Sequence, residues 1–207
     1  GLFRVKVYQD NGYPAAETGR GLYADALKKA HPLMPMEESG RLNDPLLREN
    51  FITRVFAYYD WQQLVRSGLT HHKLISFHSR YKYSLMAHSP TYYAELGRML
   101  ADAGNHEIET LAERYFTELM TVLSKIASRK THTNVLMHLQ GYLKKKLSSS
   151  EKQELADIIN RYRTAELPLI VPITLLKHHF NNHPDAYIAK QAYLQPYPDA
   201  LSLRNTI

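Results

Sequence analysis

The stretch from His78 to Ser89 reads HSRYKYSLMAHS, and it combines the spacing of a core-facing helix with an unusual number of polar residues. At about 100° per residue, Tyr81 and Leu85 fall on one arc and predict an amphipathic helix with that face in a core. His78 and Lys82 lie on the same side, at helical spacing around Tyr81. A lysine there must snorkel, pair with a carboxylate or face a cleft, because burying it unpaired is unfavourable.

Two interpretations of this helix stay open. In the first, the histidine and tyrosine hydrogen-bond within the core and Lys82 reaches solvent along the rim. In the second, the helix face lines a groove that binds anions. The same wheel places Ser76, Arg80 and Tyr83 on the opposite side, away from the core.

Helical patterns continue on both sides of this stretch, from Asp44 to the C-terminal region. Asp44 is followed by Pro45, which is typical of a helix start, and SSSE at 148–151 predicts a capping box. Helices are expected at about 45–67, 70–88, 90–100, 107–127, 131–147, 148–166, 168–180 and 185–194. The predicted fold class is therefore all-α, a multi-helix bundle of about seven or eight helices.

The N-terminal region has a different pattern. LFRVKVY at 2–8 alternates as a strand does, residues 9–21 are rich in turn formers, and LYADALKKAH at 22–31 predicts a short helix that Pro32 ends. Residues 32–44 look extended. Because a single strand lacks a partner, we interpret 1–43 as a short α/β remnant of another domain and 44–207 as the helical domain. The alternative is an N-terminal arm packed on the helices.

Composition limits the possible functions. The chain has no cysteine, which excludes disulfides, thiolate zinc sites, cysteine nucleophiles and cysteine-ligated iron–sulfur clusters within it. It has no apolar run long enough to span a membrane and no signal peptide, so we expect no membrane partner and a cytoplasmic location.

The charge is unevenly distributed along the chain. Of the formal net charge of +6, the whole excess lies in 45–207, and residues 124–152 hold seven basic residues and one acid. Such an excess favours an anionic partner, nucleic acid first. The alternative is a solvated basic face without a partner.

A polar stripe follows the buried face of the helix predicted at 131–147. We expect the apolar face to contain Val135, Leu136, Leu139, Tyr142 and Leu143. Beside it lie Asn134, His138, Gly141 and Lys145, each about one turn from the next. Glycine inside a helix is less favourable than alanine by up to about 1 kcal/mol, but it allows a backbone or phosphate to approach closely. The stripe therefore suits a sugar–phosphate backbone; the alternative is helix packing at Gly141 beside a solvated lysine run at 144–146.

The third polar stretch is LLKHHFNNHPDAYIAKQAYLQPYP at 175–198. It combines Lys177 and His178 with Tyr187 and Gln191, and such side chains can stack on and hydrogen-bond unpaired bases. The alternative is a core helix edged by tyrosines. The histidines lack the spacing of a metal site, and no nucleophile, P-loop or dinucleotide-binding motif is present. We therefore predict neither a metal site nor a catalytic centre in this chain.

Residues from about 48 to 205 resemble the YbgA-like family of helical domains. The resemblance is carried by HSRYKYSLMAHSPTYYAELGRMLA, THTNVLMHLQGYLKKKLSSSEKQEL, RYRTAELPLIVPITLLKHHF and YIAKQAYLQPYP. These motifs include the three polar stretches described above.

Residues 1–52 resemble the C-terminal end of a TudS-type desulfidase domain, through GLFRVKVY, GRGLYADAL and LMPMEESGRLNDPLLRENFI. That family uses three cysteines to hold a 4Fe–4S cluster that removes sulfur from thiouracil-type bases, and its last cysteine precedes the glycine matching Gly1. We therefore expect a truncated form of a two-domain protein. The resemblance implies a desulfidase for 4-thiouridine in tRNA, with the cluster in the missing N-terminal part and the helical domain binding tRNA.

These arguments predict an RNA-binding module with tRNA and the desulfidase domain as partners. The residues expected to meet phosphates are Arg80, Lys82, Lys144, Lys145 and Lys177. Those expected to hydrogen-bond or stack are His78, Tyr81, Asn134, His138, His178, Tyr187 and Gln191.

Two alternatives remain. The first is a helical enzyme or small-ligand domain in which the His78 cluster faces Asn134 and His138 across a pocket. The second is a scaffold that docks the desulfidase domain, which predicts that these polar side chains are buried against 1–43.

Overall fold

The computed structural model describes the backbone of residues 3–7 and 16–20 and the whole of residues 21–207. Its described part contains eight α-helices, which confirms the predicted all-α class. They are α1 (Leu22–Ala30), α2 (Pro45–Arg66), α3 (His71–His88), α4 (Pro90–Ala101), α5 (Ile108–Leu123), α6 (Arg129–Leu143), α7 (Ser149–Arg163) and α8 (Ile170–Asn182). None of these helices is long and apolar enough to cross a membrane.

The N-terminal region contains a small antiparallel pair, β1 (Phe3–Val7) and β2 (Ala16–Arg20). The prediction of β1 is confirmed, but the prediction that it lacks a partner is wrong. AETGR in β2 has no alternating apolar pattern, so periodicity alone gave no signal for a second strand. Residues 8–15, part of the predicted loop, lie outside the described residues, and the boundary at residue 43 stays a prediction.

Side-chain caps begin the helices where the sequence indicated. An Asp44 carboxylate oxygen accepts from the backbone N–H of Leu46 at 2.8 Å, at the start of α2. The predicted capping box of α7 is confirmed: Glu151 accepts from the N–H of Ser148 at 2.8 Å, and the Ser148 hydroxyl accepts from the N–H of Glu151 at 3.3 Å. The helix predicted at 185–194 is instead a single 3₁₀ turn, Ile188–Lys190.

Helix α3 lies between two hydrophobic cores and packs on α4, α5 and α6. Its Tyr81 and Leu85 belong to the first core, with Trp61 of α2, whereas Tyr83 and Met86 belong to the second, with α6, α7 and α8. The prediction that Tyr83 faces away is therefore wrong, because a second core covers that side and leaves Tyr83 only 2% exposed. Within residues 81–87, every side chain is buried except that of Lys82.

The C-terminal segment ties α2 to the second core through a buried ion pair. Arg204 Nε lies 3.0 Å from Glu49 Oε1, and Arg204 also donates to the carbonyl oxygen of Tyr193 at 2.6 Å. The Tyr197 hydroxyl donates to the same Glu49 oxygen at 3.1 Å. A ring nitrogen of His132 lies 2.9 Å from the Tyr193 hydroxyl. We call these five residues the Arg204 network.

Candidate nucleic-acid interface

The polar side chains at positions 78, 80 and 81 of α3 each have a partner within the protein. The Tyr81 hydroxyl donates to Asp60 at 2.5 Å, and Arg80 contacts the same Asp60 oxygen at 2.8 Å. His78 lies 3.2 Å from the Tyr115 hydroxyl, and burial, helped by the positive charge of Lys82, lowers the pKa of His78 to about 4. The interpretation of a hydrogen-bonded histidine and tyrosine in the core is therefore confirmed. The buried Tyr81 ring has no free face on which a base could stack.

Lys82 has a different environment. Its ammonium lies 5.7 Å from the centroid of the Tyr83 ring, 5.9 Å from that of Tyr93 and 5.8 Å from that of Tyr187. Within the described residues no carboxylate oxygen lies within 4.0 Å of this ammonium. Burial lowers the pKa of Lys82, but the neighbouring Tyr187 and Tyr93 side chains outweigh burial and raise it. Lys82 therefore carries its charge among tyrosines, without a counter-ion in the described part of the chain.

A fourth tyrosine completes this environment. The Tyr83 hydroxyl donates to the Tyr142 hydroxyl at 3.2 Å, and the Tyr142 ring stacks on that of Tyr187 with centroids 6.1 Å apart and an interplanar angle of 20°. We call Lys82 with Tyr83, Tyr93, Tyr142 and Tyr187 the Lys82–tyrosine cluster. It brings together residues of α3, α4, α6 and the segment after α8, and so unites the three polar stretches of the sequence.

Tyr142 differs from the prediction that placed it on the buried face of α6. It is 38% exposed, because its ring lies at the rim of the helix, where its hydroxyl meets Tyr83 and its face meets Tyr187. The rest of that face is correctly predicted, since Val135, Leu136, Leu139 and Leu143 are fully buried.

The polar stripe of α6 is open to solvent. Asn134, His138, Gly141 and Lys145 are all exposed, and so is Lys144. A side-chain carbon added at Gly141 would meet nothing within 4 Å, so the alternative of helix packing at this glycine is wrong. The docking alternative predicts that these side chains are buried against 1–43, whereas they are exposed.

Gln191 has a structural position. It is 4% exposed, and its amide nitrogen donates to the carbonyl oxygens of Ser79 at 3.0 Å and Tyr187 at 3.3 Å. The neighbouring Ala192 N–H donates to the carbonyl of Arg80 at 3.0 Å. Gln191 therefore fixes the segment that carries Tyr187 against α3 and has little surface for an RNA contact.

Lys177 and His178 lie elsewhere, on a cleft of about 470 Å³ between α8 and the C-terminal segment. Lys177 contacts Asp199 at 2.9 Å, and His178 contacts Asn182 at 3.2 Å. A second cleft, of about 590 Å³, lies between α4 and α5. Neither cleft is lined by His78, Tyr81, Lys82, Asn134 or His138, so these residues do not meet across either of them.

The sequence pattern missed three members of the Lys82–tyrosine cluster. The helical wheel places Tyr83 on the wrong side of α3 and Tyr142 in the core, and it gives no reason to select Tyr93. The adjacent tyrosines at 92 and 93, in the first turn of the helix that Ser89 caps, are the available signal. Among the described residues, no group of three or more histidine, aspartate or glutamate side chains is placed to hold a metal ion.

Comparison with known proteins places the chain in a family. A family described as "Protein of unknown function (DUF1722)" matches residues 82–198, a span that contains the whole Lys82–tyrosine cluster. The chain is 37% identical over 161 residues to "Uncharacterized protein YbgA" of Escherichia coli (strain K12), covering 76% of this chain and 94% of that protein. No solved structure is significantly similar to the chain. The chain therefore belongs to the DUF1722 family and is a relative of YbgA.

Proposed function

We propose that this chain is an RNA-binding module whose ligand is tRNA. The observation that carries the proposal is the continuity of exposed basic, amide and aromatic groups from the α6 stripe to the Lys82–tyrosine cluster. Asn134, His138 and Lys145 lie along one open face of α6. On the same helix, Tyr142 contacts Tyr83 and Tyr187 of the Lys82–tyrosine cluster. A basic surface with interleaved aromatic rings suits unpaired nucleotides.

Electrostatics supports the same proposal. Residues 124–152 hold seven basic residues and one acid, and Lys144 and Lys145 are exposed. Neither lysine forms an ion pair in the described part of the chain. Lysines without local counter-ions remain free to displace the cations around a phosphate backbone, which supplies most of the sequence-independent affinity for nucleic acid.

The resemblance of residues 1–52 to a TudS-type desulfidase domain extends the proposal to a reaction. The two domains together would remove sulfur from 4-thiouridine in tRNA, and the helical domain would hold the tRNA. This chain has no cysteine, so it cannot supply the thiolate ligands of a 4Fe–4S cluster. The cluster would belong to the desulfidase domain, and the chemistry is not assigned to any residue here.

A titration of the full chain with tRNA, and with duplex DNA of equal length, at two salt concentrations tests RNA binding. We expect tighter binding of tRNA and a marked loss of affinity at the higher salt concentration. Lys144→Gln and Lys145→Gln should each reduce the salt slope by about one. Lys73→Gln is a matched control for charge, because Lys73 lies on another surface and donates to the Ser67 carbonyl at 2.6 Å. Equal affinity for both nucleic acids, or no binding, would contradict the proposal.

The desulfidase part has its own test, in a protein that contains both domains. If the helical domain holds tRNA, Lys144→Gln with Lys145→Gln should lower kcat/KM for 4-thiouridine in tRNA and leave that for the free nucleoside unchanged. An equal loss on both substrates would instead indicate an effect on the catalytic domain.

A further inference from the structure

We propose that Lys82 and the hydroxyl groups of Tyr93, Tyr142 and Tyr187 form a binding site for a phosphate group. This inference rests on the proposed function for the carrier of that phosphate, an RNA strand.

The charge of Lys82 lacks a partner that two other cations of this fold have. Partly buried Lys177 contacts the carboxylate of Asp199, and buried Arg204 contacts that of Glu49. Lys82 has none within 4.0 Å in the part of the chain that the structure describes. Tyrosine faces attract a cation but leave its net charge uncompensated. A bound anion would compensate this charge.

The tyrosine hydroxyls beside Lys82 keep hydrogen-bond donors available. An ammonium has only donors, so a tyrosine oxygen that faces Lys82 can only accept from it. Each hydroxyl then keeps its own proton to donate elsewhere. Tyr83 donates to Tyr142, and Tyr142 likewise retains its proton. Among the described residues no acceptor takes a hydrogen bond from Tyr93, Tyr142 or Tyr187.

Together these features describe a receptor for an oxyanion. Three hydroxyl donors belong to the same cluster as one positive charge, and a hydroxyl that accepts from an ammonium becomes a stronger donor. The hydroxyl groups require acceptors and the ammonium requires a counter-charge. A phosphate group supplies both, because it has several acceptor oxygens and a negative charge. Tyr83, which is buried, acts as a positioning residue for the Tyr142 hydroxyl.

The site is accessible to a ligand larger than inorganic phosphate. Lys82, Tyr93 and Tyr187 are partly exposed, and Tyr142 is 38% exposed. Gly141, beside Tyr142, leaves open space above the helix. The exposed lysines at 144–146 follow directly. A strand running along α6 could therefore place one phosphate at Lys82 and its neighbours beside these lysines.

Tyrosine-to-phenylalanine substitutions separate this proposal from a simple cation–π cap. Phenylalanine keeps the aromatic face over Lys82 and removes only the hydroxyl. If the rings merely shield the lysine, Tyr187→Phe leaves phosphate binding unchanged. If the hydroxyls bind phosphate, the same substitution weakens it.

The test is an NMR titration of the full chain labelled with ¹³C in its tyrosine rings. Inorganic phosphate is added against chloride at constant ionic strength, and single Tyr→Phe variants assign the signals. We expect saturable shifts confined to Tyr83, Tyr93, Tyr142 and Tyr187, retained in Lys82→Arg and lost in Lys82→Met. Tyr187→Phe should weaken the affinity about tenfold, as expected for one lost charged hydrogen bond. Tyr59→Phe is the control, because Tyr59 is 57% exposed on α2.

Shifts that do not saturate, that spread over all tyrosines, or that persist in Lys82→Met would overturn the phosphate site. Tyr187→Phe and Lys82→Arg preserve packing and charge, so the site remains testable even where Lys82→Met fails to fold.

A competition with single-stranded RNA identifies the carrier. Displacement of phosphate by RNA, with both affinities reduced in Lys82→Met, supports an RNA phosphodiester as the natural ligand. Phosphate binding without competition by RNA keeps the site and contradicts the proposed function at this face. RNA binding that neither moves these tyrosine signals nor depends on Lys82 overturns the site and leaves the proposed function standing.

Discussion

Two tyrosine-rich environments in this molecule hold a cation in different ways. Arg204 lies 5.1 Å from the Tyr193 ring centroid and 5.9 Å from that of Tyr197, much as Lys82 lies among its own tyrosines. In the Arg204 network, however, Glu49 supplies a buried counter-charge and the donors of Arg204 have protein acceptors. The Lys82–tyrosine cluster contains no carboxylate, and among the described residues the hydroxyls of Tyr93, Tyr142 and Tyr187 donate to no acceptor. Similar residue types therefore form a fully paired structural contact in the Arg204 network and leave hydroxyl donors available in the Lys82–tyrosine cluster.

Exposure follows the same division. The side chains of Arg204 and Glu49 are 7% and 8% exposed, so water cannot replace either partner. Lys82 is partly exposed and can exchange partners with solvent. A closed buried pair affects stability, whereas an open cluster should affect binding. Five substitutions or conditions, in order of falling effect on stability, test this distinction.

The largest effect is expected from Arg204→Met. Removing the guanidinium leaves the Glu49 carboxylate buried without its partner, which should lower the free energy of unfolding by about 3–5 kcal/mol. Urea unfolding measures this. The double variant Glu49→Leu with Arg204→Met should recover much of the loss, because no charge is then left buried. A loss below about 1 kcal/mol in the single variant would show that the network is not a structural tie.

Acid should destabilise the protein through its buried histidines. Burial lowers the pKa of His78 to about 4, and it also lowers the pKa of His88 and His132 below the usual value. The unfolded chain therefore binds more protons than the folded one below about pH 6.5, so stability falls as pH drops. For His78 alone the fall between about pH 6.5 and pH 4 should reach up to about 3 kcal/mol.

Urea unfolding at several pH values measures the acid effect. His78→Asn, which can still hydrogen-bond to Tyr115, should flatten part of the curve. A curve that is unchanged in this variant would mean that His78 does not contribute.

Tyr81→Phe should cost about 1.5–3 kcal/mol, because it removes a hydrogen bond to a carboxylate in the first core. Arg80→Gln is the matched comparison: Arg80 contacts the same Asp60 oxygen, but its side chain is 44% exposed. That exposed ion pair should contribute under about 1 kcal/mol. Thermal and urea unfolding of both variants distinguish the two contacts, and equal losses would contradict the assignment of Tyr81 to a buried polar contact.

Lys82→Met should change the free energy of unfolding by less than about 1 kcal/mol, because the substitution leaves no buried carboxylate without a partner. Its affinity for tRNA should nevertheless fall about tenfold, if one phosphate contact is lost. Filter binding beside urea unfolding measures both quantities. A large loss of stability without a loss of affinity would make Lys82 a structural residue like Arg204.

The smallest effect, and one of opposite sign, is expected from Gly141→Ala. Alanine stabilises a helix interior by up to about 1 kcal/mol, and the added methyl group would meet nothing within 4 Å. We also expect a few-fold lower affinity for tRNA, because the methyl group occupies the space that a backbone would use. An unchanged affinity would remove Gly141 from the interface.

Much of the fold could be predicted from the sequence because it depends on local signals. The Asp44 and Ser148 caps, the apolar face of α6 and its exposed stripe all follow from spacing within a few turns. The position of Tyr83 could not be predicted, since a helical wheel assumes one buried face and α3 has two. Contacts such as Tyr83 with Tyr142, which are 59 residues apart, depend on how helices pack and leave no periodic signature.

The position of α3 as the shared wall of both cores has a dynamic consequence. When either half of the bundle opens, the other loses one side of its own core, so the halves should unfold together. A ligand held at Lys82 acts on this shared helix. Its binding should slow amide hydrogen exchange not only around Tyr142 but also around Trp61, in the half that the ligand does not touch.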